Sequence, residues 1–309
     1  MQSSGAFSGP EDFLFYKEIL LKQSVTRTGV VRLTAFLFAV FCLPLAACCA
    51  ESPKRIISLA PNITEILYAV GAEDRIVGVS SFCDYPEAAK KKPKVGGMSN
   101  PSLEAVVSLK PDLVLFSIDG SPKAFEERLR TMKITTFTLR SKRIAELPQG
   151  IRQIGAAVGA VEKAEKVARE METKIRDISE REKTFRNLHR TTIKPKVLFI
   201  IWPDPLIVAG PGSITDDALR IVWAENIAGK AISAYPKYSI EEILRQSPDV
   251  IFVGKGKGMD KVSEGLLKRL RSVPAVRTNK VYYVSDYLYR LGPRTVMGVE
   301  ELARYLQRL

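Results

Sequence analysis

The sequence predicts an α/β protein of two similar lobes with mainly parallel sheets, joined by one long rigid helix. Three observations predict it. Residues 161–186 carry apolar side chains at Ala164, Val167, Ala168, Met171, Ile175 and Ile178, three and four apart, with charges on the other faces and no Pro or Gly. That is the periodicity of a helix with a narrow apolar stripe; at ~1.5 Å per residue it spans roughly 39 Å, about the width of a small domain. Glu172 and Arg176 stand i,i+4 in the favourable order. One frame occurs on both sides of this helix, SLEAVVSLKPDLVLF at 102–116 and SIEEILRQSPDVIFV at 239–253. Each copy reads as a capped short helix, a Pro-Asp stop and a buried strand. Finally, both flanks alternate short β-rich runs with helical segments, which calls for parallel pairing.

The organisation that follows is an extension with a leader at 1–50, a first lobe at 51–146, a linker-helix region at 147–190 and a second lobe at 191–309. In the first lobe, 54–60 reads as a strand. Asn62 and Glu65 resemble a capping box that opens a helix over 63–70, closed by Gly71. Strand 76–79 leads into an irregular stretch, 80–100, and the first copy of the frame contributes strand 113–117. Helix 122–131 and strand 135–139 complete the lobe, and a short helix over 151–158 precedes the long one. The second lobe begins with strand 196–201, then Trp202-Pro203-Asp204-Pro205, a loop stiffened by proline. Strand 206–209, a Gly210-Pro211-Gly212-Ser213 turn and helix 216–227 come next. The second copy contributes strand 250–253, followed by helix 262–270, strand 281–284 and a last helix over 294–309.

The chain of 309 residues has a formal net charge of +13, enough for two α/β cores. The basic residues are scattered, and no helix-turn-helix, zinc-finger or RNP-like pattern accompanies them, so nucleic acid is not an expected partner. Arg27 and Arg32 precede the apolar run 33–47, the length of a signal-peptide core and short for a membrane span. Small residues before Cys48 resemble a lipoprotein lipobox, with Cys48 the lipidated first residue of an exported chain; cleavage after Ala50 is the competing reading. Membrane attachment is expected only through that lipid. The residues before Arg27 are unusual upstream of a leader, and a start at Val30 or Val31 accounts for them. Cys49 and Cys83 are too few for a disulfide framework.

Catalysis has little to stand on. His189 is the only histidine and lies in a polar tail; there is no nucleophile elbow, P-loop, Rossmann glycine fingerprint or metal-ligand spacing. The aromatics cluster instead. Phe82, Tyr85 and Met98 follow first-lobe strands, and Trp202, Tyr235, Tyr287 and Tyr289 occupy second-lobe loops. Ligands of open α/β sheets bind beyond the carboxyl ends of strands, so two such ends facing each other form a cleft. There, aromatic walls bury a large flat ligand and Asp286, Arg290 and Arg294 orient its polar groups. Glu104 and Glu241 hold the same position in the two copies of the frame. A carboxylate there favours the positive end of its helix, or equips each lobe with an acid for a two-fold symmetric partner.

From residue 54 onward the chain resembles the periplasmic binding proteins of cobalamin and iron-chelate ABC importers, through PKRIISLAPNITEILYAVGA, SSFCDYP, GGMSNPSLEAVVSLKPDLVL and PKYSIEEILRQSPDVIFV. The resemblance implies a monomer that captures cobalamin or a related corrinoid, haem or a ferric siderophore being the alternative, and moves its lobes little on binding. It implies no enzymatic activity, cofactor or metal of its own, and an ABC permease dimer with ATPase subunits as partner. The resemblance implies Phe82, Tyr235, Asp286 and Arg290 as ligand contacts, to which the clustering of the loop side chains adds Tyr85, Met98 and Trp202, and it implies Glu104 and Glu241 as docking acids. Cobalamin binders of this group carry tryptophan where this chain has Met98 and Ser117.

Overall fold

Strand β1 (Ile56–Ser58) is the centre of the first sheet. In the computed structural model, which describes residues 52–308 apart from 119, 121 and 256–258, β1 pairs in parallel with β2 (Ile76–Val79) and with β3 (Leu113–Ser117). Strand β3 in turn pairs in parallel with β4 (Thr135–Leu139). The leader, the two cleavage readings at Cys48 and Ala50, and the start-site reading lie outside the described residues. Alternate residues of the buried strands serve two faces, as the two-residue period requires. Ile56, Leu113 and Leu115 pack beneath α1 (Pro61–Ala69). After the short α2 (Glu87–Lys90), α3 (Leu103–Ser108) and α4 (Lys123–Thr131) cover Ile57, Val114 and Phe116 on the other face.

Helix α5 (Leu147–Ala157) starts four residues earlier than the sequence reading had it, because Pro148 sits in its first turn, where a missing N–H costs nothing. Helix α6 (Val161–His189) is the long connector, and the left-handed Arg190 ends it. Its stripe is as expected: Ala164, Ala168, Met171 and Ile178 are buried, with Val167 and Ile175 packed beside them. Its charge pairing is not. Glu172 is taken by Arg152 of α5, whose guanidinium also reaches Glu165, while Arg176 bonds Thr173. A Cβ on Gly155 would overlap the side chain of Ala164, so glycine is what lets α5 and α6 approach this closely.

The second sheet repeats the first around β5 (Lys196–Pro203). Strand β6 (Leu206–Val208) joins its edge antiparallel and β7 (Glu225–Asn226) joins in parallel. On the other side β8 (Val250–Gly254) and then β9 (Val281–Val284) continue in parallel. Trp202 and Pro203 belong to the β5–β6 hairpin rather than to a loop. Helix α7 (Ile214–Ile221) is six residues shorter than expected at its end, because Trp223 turns left-handed (φ 56°) and sends Glu225–Asn226 to the sheet edge. Helices α8 (Ile240–Gln246), α9 (Met259–Arg269), α10 (Pro274–Arg277) and α11 (Thr295–Leu306) complete the lobe.

The repeated frame has the same job in both lobes. Ser102 and Ser239 cap α3 and α8 by accepting from the backbone N–H of Ala105 and Glu242, at 3.2 and 3.0 Å. The Pro-Asp acids tie down the neighbouring strand: Asp112 accepts from the N–H groups of Lys54 and Arg55, and Asp249 from that of Lys196, at 2.6, 3.0 and 2.8 Å.

Glu182 lies buried between α6 and α11, accepting from Gln307 at 2.7 Å. Burial pushes its carboxyl above the usual range, so its charged form opposes folding at neutral pH. That penalty vanishes below the ordinary carboxylate range. Glu182→Gln is therefore expected to raise stability at pH 7 and to lose that advantage under acid, as read by thermal unfolding at the two pH values.

Candidate functional site

A cavity of about 530 Å³ lies between the lobes, beyond the carboxyl ends of the first sheet, where open α/β sheets receive ligands. Pro61 and Asn62 follow β1, Phe82 follows β2, Ser117 ends β3, and Met98 and Lys142 come from the connecting segments. The second lobe supplies Gly212–Ile214 from the start of α7, Ala234 and Tyr235, and the run Tyr289–Leu291. Phe82 and Tyr235 are 57% and 51% exposed; two large rings left in solvent on one cavity are the informative kind of exception to burial.

Four of the seven expected ligand contacts, Phe82, Met98, Tyr235 and Arg290, thus line one cavity. The other three lie elsewhere. Trp202 remains in the β5–β6 hairpin, its indole N–H donating to the carbonyl of Asp204 at 2.6 Å. Asp286 borders a second depression, beside Lys255, Tyr287 and Arg294. Tyr85 lies under the guanidinium of Arg294, 4.0 Å from its ring centroid.

Behind the cavity an ionic cluster joins the lobes. Glu65 of α1 is 3% exposed and accepts two hydrogen bonds from Arg294, at 2.6 and 3.0 Å, with Arg290 at 3.9 Å. Arg290 forks onto both carboxylate oxygens of Asp84, which holds that acid below its ordinary range. This contribution is present at neutral pH and is lost as the pH falls through the depressed value. The second arginine, Arg294, also stands 3.8 Å from Asp286. Asn62 adds a neutral tie, donating to the carbonyl of Leu291 at 3.3 Å.

The expected capping box is not formed. Helix α1 opens at Pro61 with Ala60 as its N-cap and no side-chain cap, so Asn62 and Glu65 lie inside the helix, free to reach the other lobe. Pro61 was the available signal, since proline favours the first helical position. Tyr289, which the sequence marks only as a loop aromatic, also lines the cavity, and burial pushes its hydroxyl up to about 12. His189 ends α6, its ring 4.1 Å from that of Phe185 and far from any candidate role. Cys83 is a free, buried thiol among the hydroxyls of Thr64 and Ser80. No cluster of metal-ligating side chains occurs among the described residues, and no helix among them is long and apolar enough to cross a membrane.

The docking candidates keep their equivalence. Glu104 in α3 and Glu241 in α8 are both exposed and follow the capping serines by two positions. Their neighbour Glu242 is held near 2 by hydrogen bonds from Arg245 and Gln246, whereas neither Glu104 nor Glu241 enters an ion pair among the described residues.

Residues 56–288 match the family described as periplasmic binding protein. This chain belongs to that family. The binding protein is 35% identical over 260 residues to an uncharacterized ABC transporter substrate-binding lipoprotein of Bacillus subtilis, covering 82% of this chain and 80% of that one. Its fold is similar to that of the periplasmic vitamin B12-binding protein BtuF of Vibrio cholerae, with TM-score 0.73, 26% identity, and 83% and 98% of the two chains covered. A haem-binding relative is equally similar: the periplasmic protein RhuT from a Roseiflexus species, in apo form, has TM-score 0.73 and 29% identity over 82% and 98% of the chains. As a member of this family the binding protein is exported, carries a transported ligand rather than a cofactor, works with ABC permease and ATPase components, and is not an enzyme.

Proposed function

We propose that the binding protein captures cobalamin or a related corrinoid in the interlobe cavity and delivers it to its permease. The observation that carries this reading is the pair of exposed rings, Phe82 and Tyr235, contributed by opposite lobes to one cavity. Two such faces suit a large flat macrocycle, and each buries apolar area with little loss of conformational freedom. Met98 and Ser117 also line the cavity. Side chains smaller than tryptophan at these two places widen the first-lobe wall, which suits a bulky ring substituent. The lobes take up residues 51–146 and 191–309 about the linker region 147–190, the protein acts as a monomer, and Cys48 carries the lipid anchor, as in the Bacillus relative named a lipoprotein. The mass of the mature N-terminal peptide decides that last point.

Haem is the second reading, favoured by Met98 and Tyr235 on the wall, both side-chain types that ligate haem iron. Calorimetric titration of the chain with cyanocobalamin, with hemin in parallel, tests the proposal. One-to-one binding of the corrinoid is expected, weakened roughly 10- to 30-fold by Tyr235→Ala. Hemin binding with a Soret shift abolished by Tyr235→Phe, and no response to cyanocobalamin, overturns it in favour of haem.

A further inference from the structure

We infer that the transported ligand carries an anionic oxygen group and that Lys142 is the cation that receives it. The inference rests on reading the cavity as the ligand site. Among the described residues that line it, Lys142 and Arg290 are the charged ones, both cationic, and no carboxylate faces the space. The two cations differ in what already surrounds them. Arg290 is compensated, by the fork onto Asp84 and by Glu65 behind it. Lys142 enters no ion pair among the described residues.

The acids nearest Lys142 along the chain and across the junction are committed elsewhere. The Glu146 carboxylate accepts from the backbone N–H groups of Lys142 and Arg143, at 2.9 and 3.3 Å. Asp217 of α7 accepts from the N–H of Ile144 at 2.8 Å and from the guanidinium of Arg143 at 3.2 Å. Asp216 pairs with Arg220. The bonds to Glu146 and Asp217 fix the backbone on which Lys142 stands, between β4 and α5 where the chain leaves the first lobe. The root of the side chain is therefore rigid while its ammonium is unclaimed. A cationic cleft in a protein of net charge +13 concentrates anions and steers them inward. Aromatic rings for a macrocycle and one uncompensated ammonium at the rim together specify a flat ligand with a peripheral anion. Such an anion is either the phosphodiester of a corrinoid's nucleotide loop or the carboxylate of a tetrapyrrole.

The test compares the full chain with its Lys142→Gln and Lys142→Arg variants, titrated with cyanocobalamin, with dicyanocobinamide, which lacks the nucleotide phosphate, and with hemin. For the anionic ligand that binds, Lys142→Gln is expected to weaken affinity about tenfold and to flatten its dependence on salt, Lys142→Arg retaining both. Cobinamide affinity is expected to be the same in all three proteins. A loss confined to cyanocobalamin assigns the phosphodiester; a loss confined to hemin assigns the carboxylate and moves the ligand away from corrinoids while leaving Lys142 in its role. Unchanged affinity for whichever ligand binds, or an equal loss for cyanocobalamin and cobinamide, overturns the inference, while the parent's own binding of cyanocobalamin or of hemin separately decides the corrinoid reading.

Discussion

Replacing Glu65 by alanine is expected to lower stability by about 3 kcal/mol, the penalty for removing one partner of a buried ion pair. Arg294 would lose both of its hydrogen bonds at the lobe junction and keep only Asp286 at 3.8 Å, while Arg290 keeps its fork onto Asp84. Arg294 and Arg290 have side chains only 16% and 26% exposed, so water replaces the lost carboxylate only in part. For a chain of this size the loss corresponds to a fall of roughly 6–12 °C in Tm. The double variant Glu65→Met with Arg294→Met recovers most of it, because an apolar pair of similar volume avoids the desolvation of both charges. A Tm within a degree of the parent for Glu65→Ala would show that the cluster is solvated and does not hold the lobes. Small-angle scattering supplies an independent readout: the parent should compact little on ligand binding, since α6 resists bending and the cluster already joins the lobes, whereas Glu65→Ala should be more expanded without ligand.

Reversing both docking candidates, Glu104→Lys with Glu241→Lys, is expected to abolish stimulation of transporter ATPase in reconstituted vesicles and to leave ligand affinity unchanged. Each carboxylate is exposed, unpaired among the described residues and set early in a short helix whose serine cap is already satisfied. Their structural contribution, the favourable position near a positive helix end, is worth only about 0.5 kcal/mol apiece, so folding should survive the exchange. On a surface of net positive charge, two unclaimed acids at equivalent places on the two lobes would suit basic residues at equivalent places on a permease. Reversal turns each attraction into a like-charge contact. Single reversals should fall between the parent and the double variant. Full stimulation by the double variant would remove both residues from the docking surface.

Much of the architecture was legible in the residues taken one stretch at a time. The six apolar positions of the long helix, the serine caps of the repeated frame and four of the strands have the bounds or burial that their periodicity required. The errors fall where the neighbouring element decides. Helix α7 stops at Ile221 because the chain is pulled to the edge of β5. Trp202 misses the cavity because β6 pairs with it and carries β5 on into a hairpin. Phe82, Met98, Tyr235 and Arg290 could be picked out as chemistry suited to a macrocycle, but that they share one space with Lys142, and that Trp202 and Asp286 do not, depended on how the lobes face each other.

By itself, then, the sequence determined the kind of element at nearly every stretch, the doubling of the lobe and the helix between the copies, because hydrophobic period, caps and turn residues act over a few positions. Tertiary structure alone decided the charges. Glu65 and Arg294 are 229 residues apart in the chain, and Glu172 exchanged a neighbour on its own helix for Arg152 on another. Coulombic pairing depends on separation and solvent screening, and both are set only when the packed lobes bring distant side chains to one place and exclude water from it.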